Sequence, residues 1–298
     1  MIGVIPAAGI GKRMYPLTVD MPKPLLPVLN KPIIEHVINC LKSSGIEEII
    51  VIVRYKKEMI KRKLRDVKFV EQDVLDGTVS AIKLVEKYID ENFVVMWGDN
   101  FFKGNLKDLI ISHIKNRADI TVMLDREGKG AKAYIKNGKI FAVEERPKKS
   151  RGFAFAGVYT FSTEIFDHID EMKKSETGEY EISNLLQLMI NKGVNINYVW
   201  LKGWRMNVTT PSDLLQVNLK MLDNIGKPFY IGENCKINGD VTRSVIGDYV
   251  EINQSIIKNS LVMNYVKINK SVIGGMIIRE NKIIENLNKF ENGAIAIM

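Results

Sequence analysis

The sequence predicts an α/β fold, a mostly parallel sheet with helices on both faces, followed by a small repetitive C-terminal domain. Two observations carry this expectation. Over the first two thirds of the chain short apolar runs alternate with helical patterns, the signature of strands joined by crossover helices. Beyond Lys227 an apolar pattern instead recurs every fifteen or sixteen residues, too short a period to stand alone. The chain has 298 residues, 46% of them hydrophobic and 26% charged, enough for one large domain and one small one. The division expected is 1–226 and 227–298.

Each element has a local reason. Ile2 to Pro6, Glu48 to Val53, Lys68 to Glu71, Phe93 to Trp97 and Ile120 to Leu124 are short β-prone runs, and all read as strands. Pro32 to Ser44, Lys56 to Leu64, Thr78 to Tyr88 and Leu106 to Asn116 carry helical spacing between them. The first of these starts on Pro32 and stops at Gly45, residues suited to a first helical position and a C-terminal stop. After Leu124 the rhythm changes: Asn137-Gly138 predicts a type I′ hairpin, followed by a strand through Phe155 to Phe161. Such an insertion commonly builds a substrate wall. A helix over Ile182 to Asn191, a strand over Ile196 to Leu201, and a helix capped by Thr210 and opened by Pro211 complete the large domain.

In the C-terminal repeat, Ile231 to Asn238, Ile246 to Asn253 and Val262 to Asn269 align, so Cys235, Val250 and Val266 share one interior slot. Stacked coils of a solenoid fit this spacing. Ordinary hairpins would need a turn dipeptide at each reversal, and only scattered Asn and Gly are available.

Composition excludes several classes. A net charge of +8 invites nucleic acid, yet the cations are dispersed and aromatic content is 8% with no aromatic-basic tract. No nucleic-acid partner is expected. No apolar run approaches the roughly 20 residues of a membrane span, and the N-terminus lacks a signal-peptide pattern, so neither a membrane partner nor export is expected and the cytoplasm is the expected location. Cys40 and Cys235 are read as small core residues, and His36, His113 and His168 as structural.

The chemistry concentrates after the first strand, in Ala7-Ala8-Gly9-Ile10-Gly11-Lys12-Arg13-Met14-Tyr15-Pro16-Leu17-Thr18 and then Pro22-Lys23-Pro24-Leu25-Leu26-Pro27-Val28. Small residues at the carboxyl end of a parallel strand let the backbone approach a base or phosphate. A dinucleotide loop would carry a third glycine and an acidic residue ending the second strand, but Arg13 and Val53-Arg54 stand there. A Walker loop would need Gly-Lys-Ser/Thr after its spacer. Arg13 and Lys23 suit a polyphosphate, Arg as a fork and Lys as a point charge.

These tracts, with Gln72, Gly77-Thr78, Gly98-Asp99-Asn100, Glu144 to Pro147, Gly178 to Ile182 and Trp204 to Pro211, resemble the sugar-1-phosphate nucleotidylyltransferase family. That resemblance implies a Rossmann-like catalytic sheet followed by a short left-handed β-helix. It implies nucleotide contacts from Ala7, Ala8, Gly9, Gly11, Gln72, Gly77 and Thr78, with Gln72 reading a pyrimidine edge. Sugar-phosphate contacts fall on Gly130, Glu145, Arg146, Gly157 and Glu179; Ala156 stands where some relatives have a polar residue. Mg²⁺ would be held by Asp99 and Asn207, the latter often Asp elsewhere in the family. Arg13 and Lys23 become the catalytic cations.

The implied reaction joins UTP or dTTP to a glucose or N-acetylhexosamine 1-phosphate. The acceptor phosphate is largely ionised at neutral pH, so no side-chain base is required. A second, acetyl-transferring activity would want a histidine base in the repeat, and none follows His168. A non-catalytic, sugar-nucleotide-sensing subunit would be expected to lose Arg13, Lys23 or Asp99, and all three are present. The repeat is expected to serve homo-oligomerisation, because terminal coils expose apolar edges.

Overall fold

The computed structural model describes residues 1–145, 147, 151–290 and 297–298. They form two compact units: Met1–Gly9 with Glu35–Arg205, and Ile10–Ile34 with Met206–Met298.

The first unit is built on a nine-stranded sheet. Its strands are β1 (Ile2–Pro6), β2 (Ile49–Val53), β3 (Lys68–Glu71), β4 (Phe93–Met96), β5 (Ile120–Asp125), β6 (Lys132–Lys136), β7 (Lys139–Glu144), β8 (Phe153–Phe161) and β9 (Ile196–Trp200). The order runs β7-β6-β8-β4-β1-β2-β3, with β5 also on β8 and β9 on β5. Strands β3-β2-β1-β4 are parallel throughout, as are β5 and β9. Strand β8 runs antiparallel to both β4 and β5, so β4 and β5 point the same way. All six parallel strands therefore deliver their carboxyl ends to one edge of the sheet. The predicted hairpin is present: β6 and β7 pair antiparallel across Asn137 and Gly138, at φ 51° and 74°.

Helices α1 (Ile33–Ser43), α2 (Lys57–Lys63), α3 (Thr78–Lys83), α4 (Lys107–Asn116), α6 (Ile182–Asn191) and α7 (Pro211–Asn224) follow the predicted order, and a short helix for which no range was expected, α5 (Ile165–Ile169), precedes α6. Helices α3, α5 and α6 share one core with Val4, Ile52, Val95 and Val122 of the sheet. On the other face Leu41 of α1 lies beneath Gly3, where an added Cβ would come within 3.1 Å of it. His113 of α4 meets Thr121 there at 3.0 Å. The central strands are buried on both faces, as their unbroken apolar runs require.

Two boundaries differ from expectation. Pro32 ends a two-residue strand paired with Pro27–Val28 instead of opening α1. The predicted Thr78 to Tyr88 helix tightens after Lys83, where Leu84 and Val85 donate three residues back to Ala81 and Ile82, and Glu86–Tyr88 is a 3₁₀ turn.

In the second unit α7 opens with a complete capping box. Thr210 Oγ1 accepts from Asp213 N at 3.3 Å, and the Asp213 carboxylate accepts from Thr210 N at 2.7 Å. Asn218 of α7 is fully buried and holds the Pro27–Leu29 segment, donating to Pro27 O at 3.0 Å and accepting from Leu29 N at 2.9 Å.

The C-terminal repeat forms coils whose successive strands pair in parallel, residue 236 with 251 and 251 with 267, which is the pairing of stacked coils and not of hairpins. The ladder continues into a fourth turn, Ile268 facing Ile284. Ile252 and Ile268 stack inside, while Asn238, Asn253 and Asn269 join side chain to side chain at 2.8 and 3.0 Å. Ser244 and Ser260 each accept from a backbone N–H one coil on, satisfying corner groups that would otherwise be buried unpaired. Val250 and Val266 are fully buried, but Cys235, on the first coil, is only half-buried. No coil precedes it among the described residues, so the slot is complete on one side only. Cys40 is also half-buried, and desolvation pushes its thiol up to about 12.

Candidate active site

The carboxyl edge of the first unit's sheet gathers most of the residues singled out in the sequence. Strand β1 is followed by Ala7 and Ala8, both buried, and Gly9, which is exposed. The turn after β4, Trp97 to Asn100, lies directly against them. A side chain at Gly98 would come within 3.1 Å of Pro6 O and 3.5 Å of Ala7 Cβ. Glycine lets these two strand ends meet without either shifting, and this places Asp99 beside the Ala7 to Gly9 turn.

Gly157 joins the same cluster. Its φ is +72°, its carbonyl accepts from Trp97 N at 3.2 Å, and an added Cβ would stand 2.8 Å from Trp97 Cδ1. Buried Asn100 donates through Nδ2 to Ala156 O, so the alanine contributes its backbone here. Trp97 packs on Tyr159 with ring centroids 5.3 Å apart. Complete burial, reinforced by the Glu145 carboxylate, raises the Tyr159 hydroxyl above its ordinary range. Glu145 accepts from Ser183 Oγ at 2.6 Å. Arg146 lies outside the described residues.

Gln72 follows β3 on the same edge and is 4% exposed. Its amide faces Gly77 O and Ser80 Oγ, each at 3.4 Å, while Ser80 donates to Gly77 O at 2.9 Å. At Gly77, φ is +120° and a Cβ would fall 2.5 Å from both N and O of Tyr180. The space of the missing side chain is thus filled by the Tyr180 backbone, and packing alone demands glycine. Tyr180 N donates to Asp76 O at 2.7 Å and Val79 N to Tyr180 O at 3.0 Å. This strap holds Thr78 at the start of α3 and leaves neighbouring Glu179 exposed.

Gly130 sits in the loop after β5, at φ +103° with open space around its Cβ position. The sequence patterns did not reveal what surrounds this loop. Arg205, 7% exposed, donates from Nε to Asp125 Oδ2 at 2.9 Å and from Nη2 to Lys129 O at 3.1 Å. Buried Lys132 donates to Gly128 O at 2.6 Å. Asp125 and Arg205 are eighty residues apart, so no local spacing could have disclosed the pair.

The remaining candidates belong to the second unit. Gly11 precedes a 3₁₀ turn at φ +72°, and its carbonyl accepts from Thr18 Oγ1 at 2.9 Å. A Cβ at Gly11 would stand 3.2 Å from Lys23 Cβ, so the glycine gives the Lys23 stem its seat. Arg13 is exposed on that turn, and Asn207 ends the short strand Arg205–Asn207. The three histidines take structural positions, His36 against Phe101, His113 on Thr121 and His168 on Glu171.

A cavity of about 260 Å³ opens at the opposite edge of the sheet, between Glu47, Glu48, Asp66, Lys68 and Tyr88. None of the expected site residues lies there. Among the described residues no helix is long and apolar enough to cross a membrane.

Comparison with known proteins places the chain in a family. Residues 2–224 match the model of the nucleotidyl transferase family. The chain is 34% identical over 250 residues to the bifunctional protein GlmU of Methanococcus aeolicus, a match spanning 81% of this chain but only 60% of that protein. It is 34% identical over 226 residues to the UTP–glucose-1-phosphate uridylyltransferase AglF of Haloferax volcanii, covering 72% of this chain and 93% of the relative. A provisionally identified glucose-1-phosphate thymidylyltransferase from Bacillus anthracis, solved with sucrose, superposes with a TM-score of 0.68 at 28% identity, over 75% of this chain and 96% of its own. The chain belongs to the nucleotidyl transferase family.

Proposed function

We propose that the protein transfers a nucleotidyl group from UTP or dTTP to a sugar 1-phosphate, releasing pyrophosphate. The observation that carries this reading is the convergence of Ala7–Gly9, Gln72, Asp99 and Gly157 on the carboxyl edge of a parallel sheet, the edge where such sheets take ligands. The names borne by the Haloferax and Bacillus relatives support glucose 1-phosphate as one acceptor to test first. The catalytic portion is taken as 1–226 and the repeat as 227–298.

In this reading the Ala8 and Gly9 backbone lies along the base, and the Gln72 amide reads its pyrimidine edge. Lys23 and Arg13 neutralise the triphosphate, and Gly11 seats the Lys23 stem. Glu145 and Glu179 accept from sugar hydroxyls, Gly130 and Gly157 line the sugar pocket, and Arg146 takes the acceptor phosphate. An oxygen of that phosphate attacks the α-phosphorus in line, and pyrophosphate departs from the opposite side.

The donor set suits Mg²⁺. Asp99 supplies a carboxylate and Asn207 an amide oxygen; Mg²⁺ keeps several waters and completes its shell with substrate phosphates, so two protein oxygens suffice. Bound there, the ion would offset charge on the phosphates.

Oligomerisation through the coils is part of the same proposal. Ile231 and Ile283 are 36% and 72% exposed on coil strands, surface that a second copy would cover. A monomer in sedimentation equilibrium would contradict it. A cytoplasmic location fits the substrates named.

The test is pyrophosphate release from a panel of triphosphates and sugar 1-phosphates with Mg²⁺. Release with UTP or dTTP and at least one hexose 1-phosphate is expected. No release from any pair would favour the nucleotide-sensing alternative instead.

A further inference from the structure

The loop Arg126–Ala131 leaves the carboxyl end of β5, on the same edge as Ala7–Gly9 and Asp99. Loops of this length on a sheet edge are ordinarily mobile. This one is pinned at nearly every residue. Arg126 stacks its guanidinium 4.1 Å from the Trp200 ring centre. Glu127 N donates to Asp125 Oδ1 at 3.1 Å, and Ala131 O accepts from Phe155 N at 3.3 Å.

The centre of the loop is held from two sides. Asp125 and Lys132 both face Ala154 across the sheet, Asp125 from β5 and Lys132 from β6, so their side chains rise on the same face with a small residue between them. Gly128 folds down over Ala154, where an added Cβ would come within 2.9 Å of the alanine's. From one side Lys132 takes the Gly128 carbonyl. From the other, Arg205 spans Asp125 and the Lys129 carbonyl with two arms of its fork. A Cβ on Gly128 would also stand 2.5 Å from Asp125 Oδ2 and 2.6 Å from Arg205 Nη2, so any larger residue there must displace the loop or the pair.

Among the described residues of the loop, Gly130 alone is unpinned, exposed and at φ +103°. Burying the Lys132 cation and the Arg205 side chain is costly, and breaking one partnership of such a set removes far more than it contributed. A structure that merely needed to close a turn would use none of this.

We propose that Arg205 and Lys132 are positioning residues that clamp Arg126–Ala131 into a fixed wall, with Gly130 facing the sugar 1-phosphate; this rests on the function proposed above. The clamp acts on the acceptor and not on the triphosphate, because the residues it holds come from β5 and β6, away from the β1 and β3 ends.

The test compares wild type with Arg205→Lys, which keeps the charge and loses the fork, Lys132→Met, which keeps the bulk, and Gly128→Ala, which pushes the loop off without removing a charge. Two readouts are taken: amide hydrogen exchange of residues 127–131 in the ligand-free protein, and separate KM values for glucose 1-phosphate and UTP. Faster exchange is expected in all three variants, with KM for glucose 1-phosphate raised about tenfold and kcat and KM for UTP within about twofold. Unchanged exchange in the variants that fold would overturn the clamp. Faster exchange with KM unchanged, or raised equally for UTP, would overturn the wall assignment. If wild type releases no pyrophosphate, the functional reading fails by itself while exchange still decides the clamp.

Discussion

The carboxyl edge of the sheet and the C-terminal coils solve the same problem, burying backbone in apolar surroundings, in opposite ways. In the coils a slot is filled repeatedly by like residues: Ile252 over Ile268 inside, Asn253 over Asn269 along the side, Ser244 and Ser260 at the corners. At the sheet edge each fit occurs once. Gly77 admits the Tyr180 backbone, Gly98 admits Pro6, Gly157 admits Trp97, and Gly128 admits the Asp125–Arg205 pair. A repeated slot spreads its stability over neighbours, whereas a unique fit stands or falls with one residue. Chemistry needs the second arrangement, since a substrate must find particular atoms at fixed places.

Substitutions can break or sharpen that contrast. Gly77→Ala should be the most damaging to folding, because the strained φ of +120° and a Cβ 2.5 Å from Tyr180 backbone cannot be relieved locally. A loss above about 3 kcal/mol in urea unfolding is expected. A loss below about 1 kcal/mol would mean that the Asp76–Tyr180 strap yields easily. Within the coils, Val250→Ala should cost about 2 kcal/mol, its slot being closed by a coil on either side. Cys235→Ala, in the same slot but on the first coil and half-buried, should cost less than about 1 kcal/mol. Equal losses at the two positions would show that the slot does not depend on having a neighbour on each side.

Legibility in the sequence divides along the same line. Periodic features were readable: the alternation of β1 to β5 with their helices, the Asn137-Gly138 hairpin, the Thr210 cap and the coil spacing all follow from local pattern. Boundaries were missed where a tertiary contact overrides propensity, as at Pro32, drawn into pairing with Pro27, and after Lys83, where the helix tightens. Of the candidate site, the motif residues on the sheet edge could be named, but the reasons for two of them could not. Gly77 was expected among the nucleotide contacts, and the Tyr180 backbone fills the space of its missing side chain; Ala156 was noted for standing where some relatives have a polar residue, and its carbonyl holds Asn100. Arg205 and Asp125 escaped because an ion pair between distant residues has no sequence period, and Lys132 because its partner is a backbone carbonyl. Cys235 was placed correctly in its slot, yet a slot at the end of a stack is not a core position.

The central claim is that the carboxyl edge of the sheet performs nucleotidyl transfer with Asp99 among its metal ligands. The direct test is Mg²⁺-dependent pyrophosphate release by Asp99→Ala beside wild type, with circular dichroism melting as the check on folding. The account predicts a loss of at least about 100-fold in kcat/KM with the melting temperature nearly unchanged. Wild-type turnover in the folded variant would contradict it.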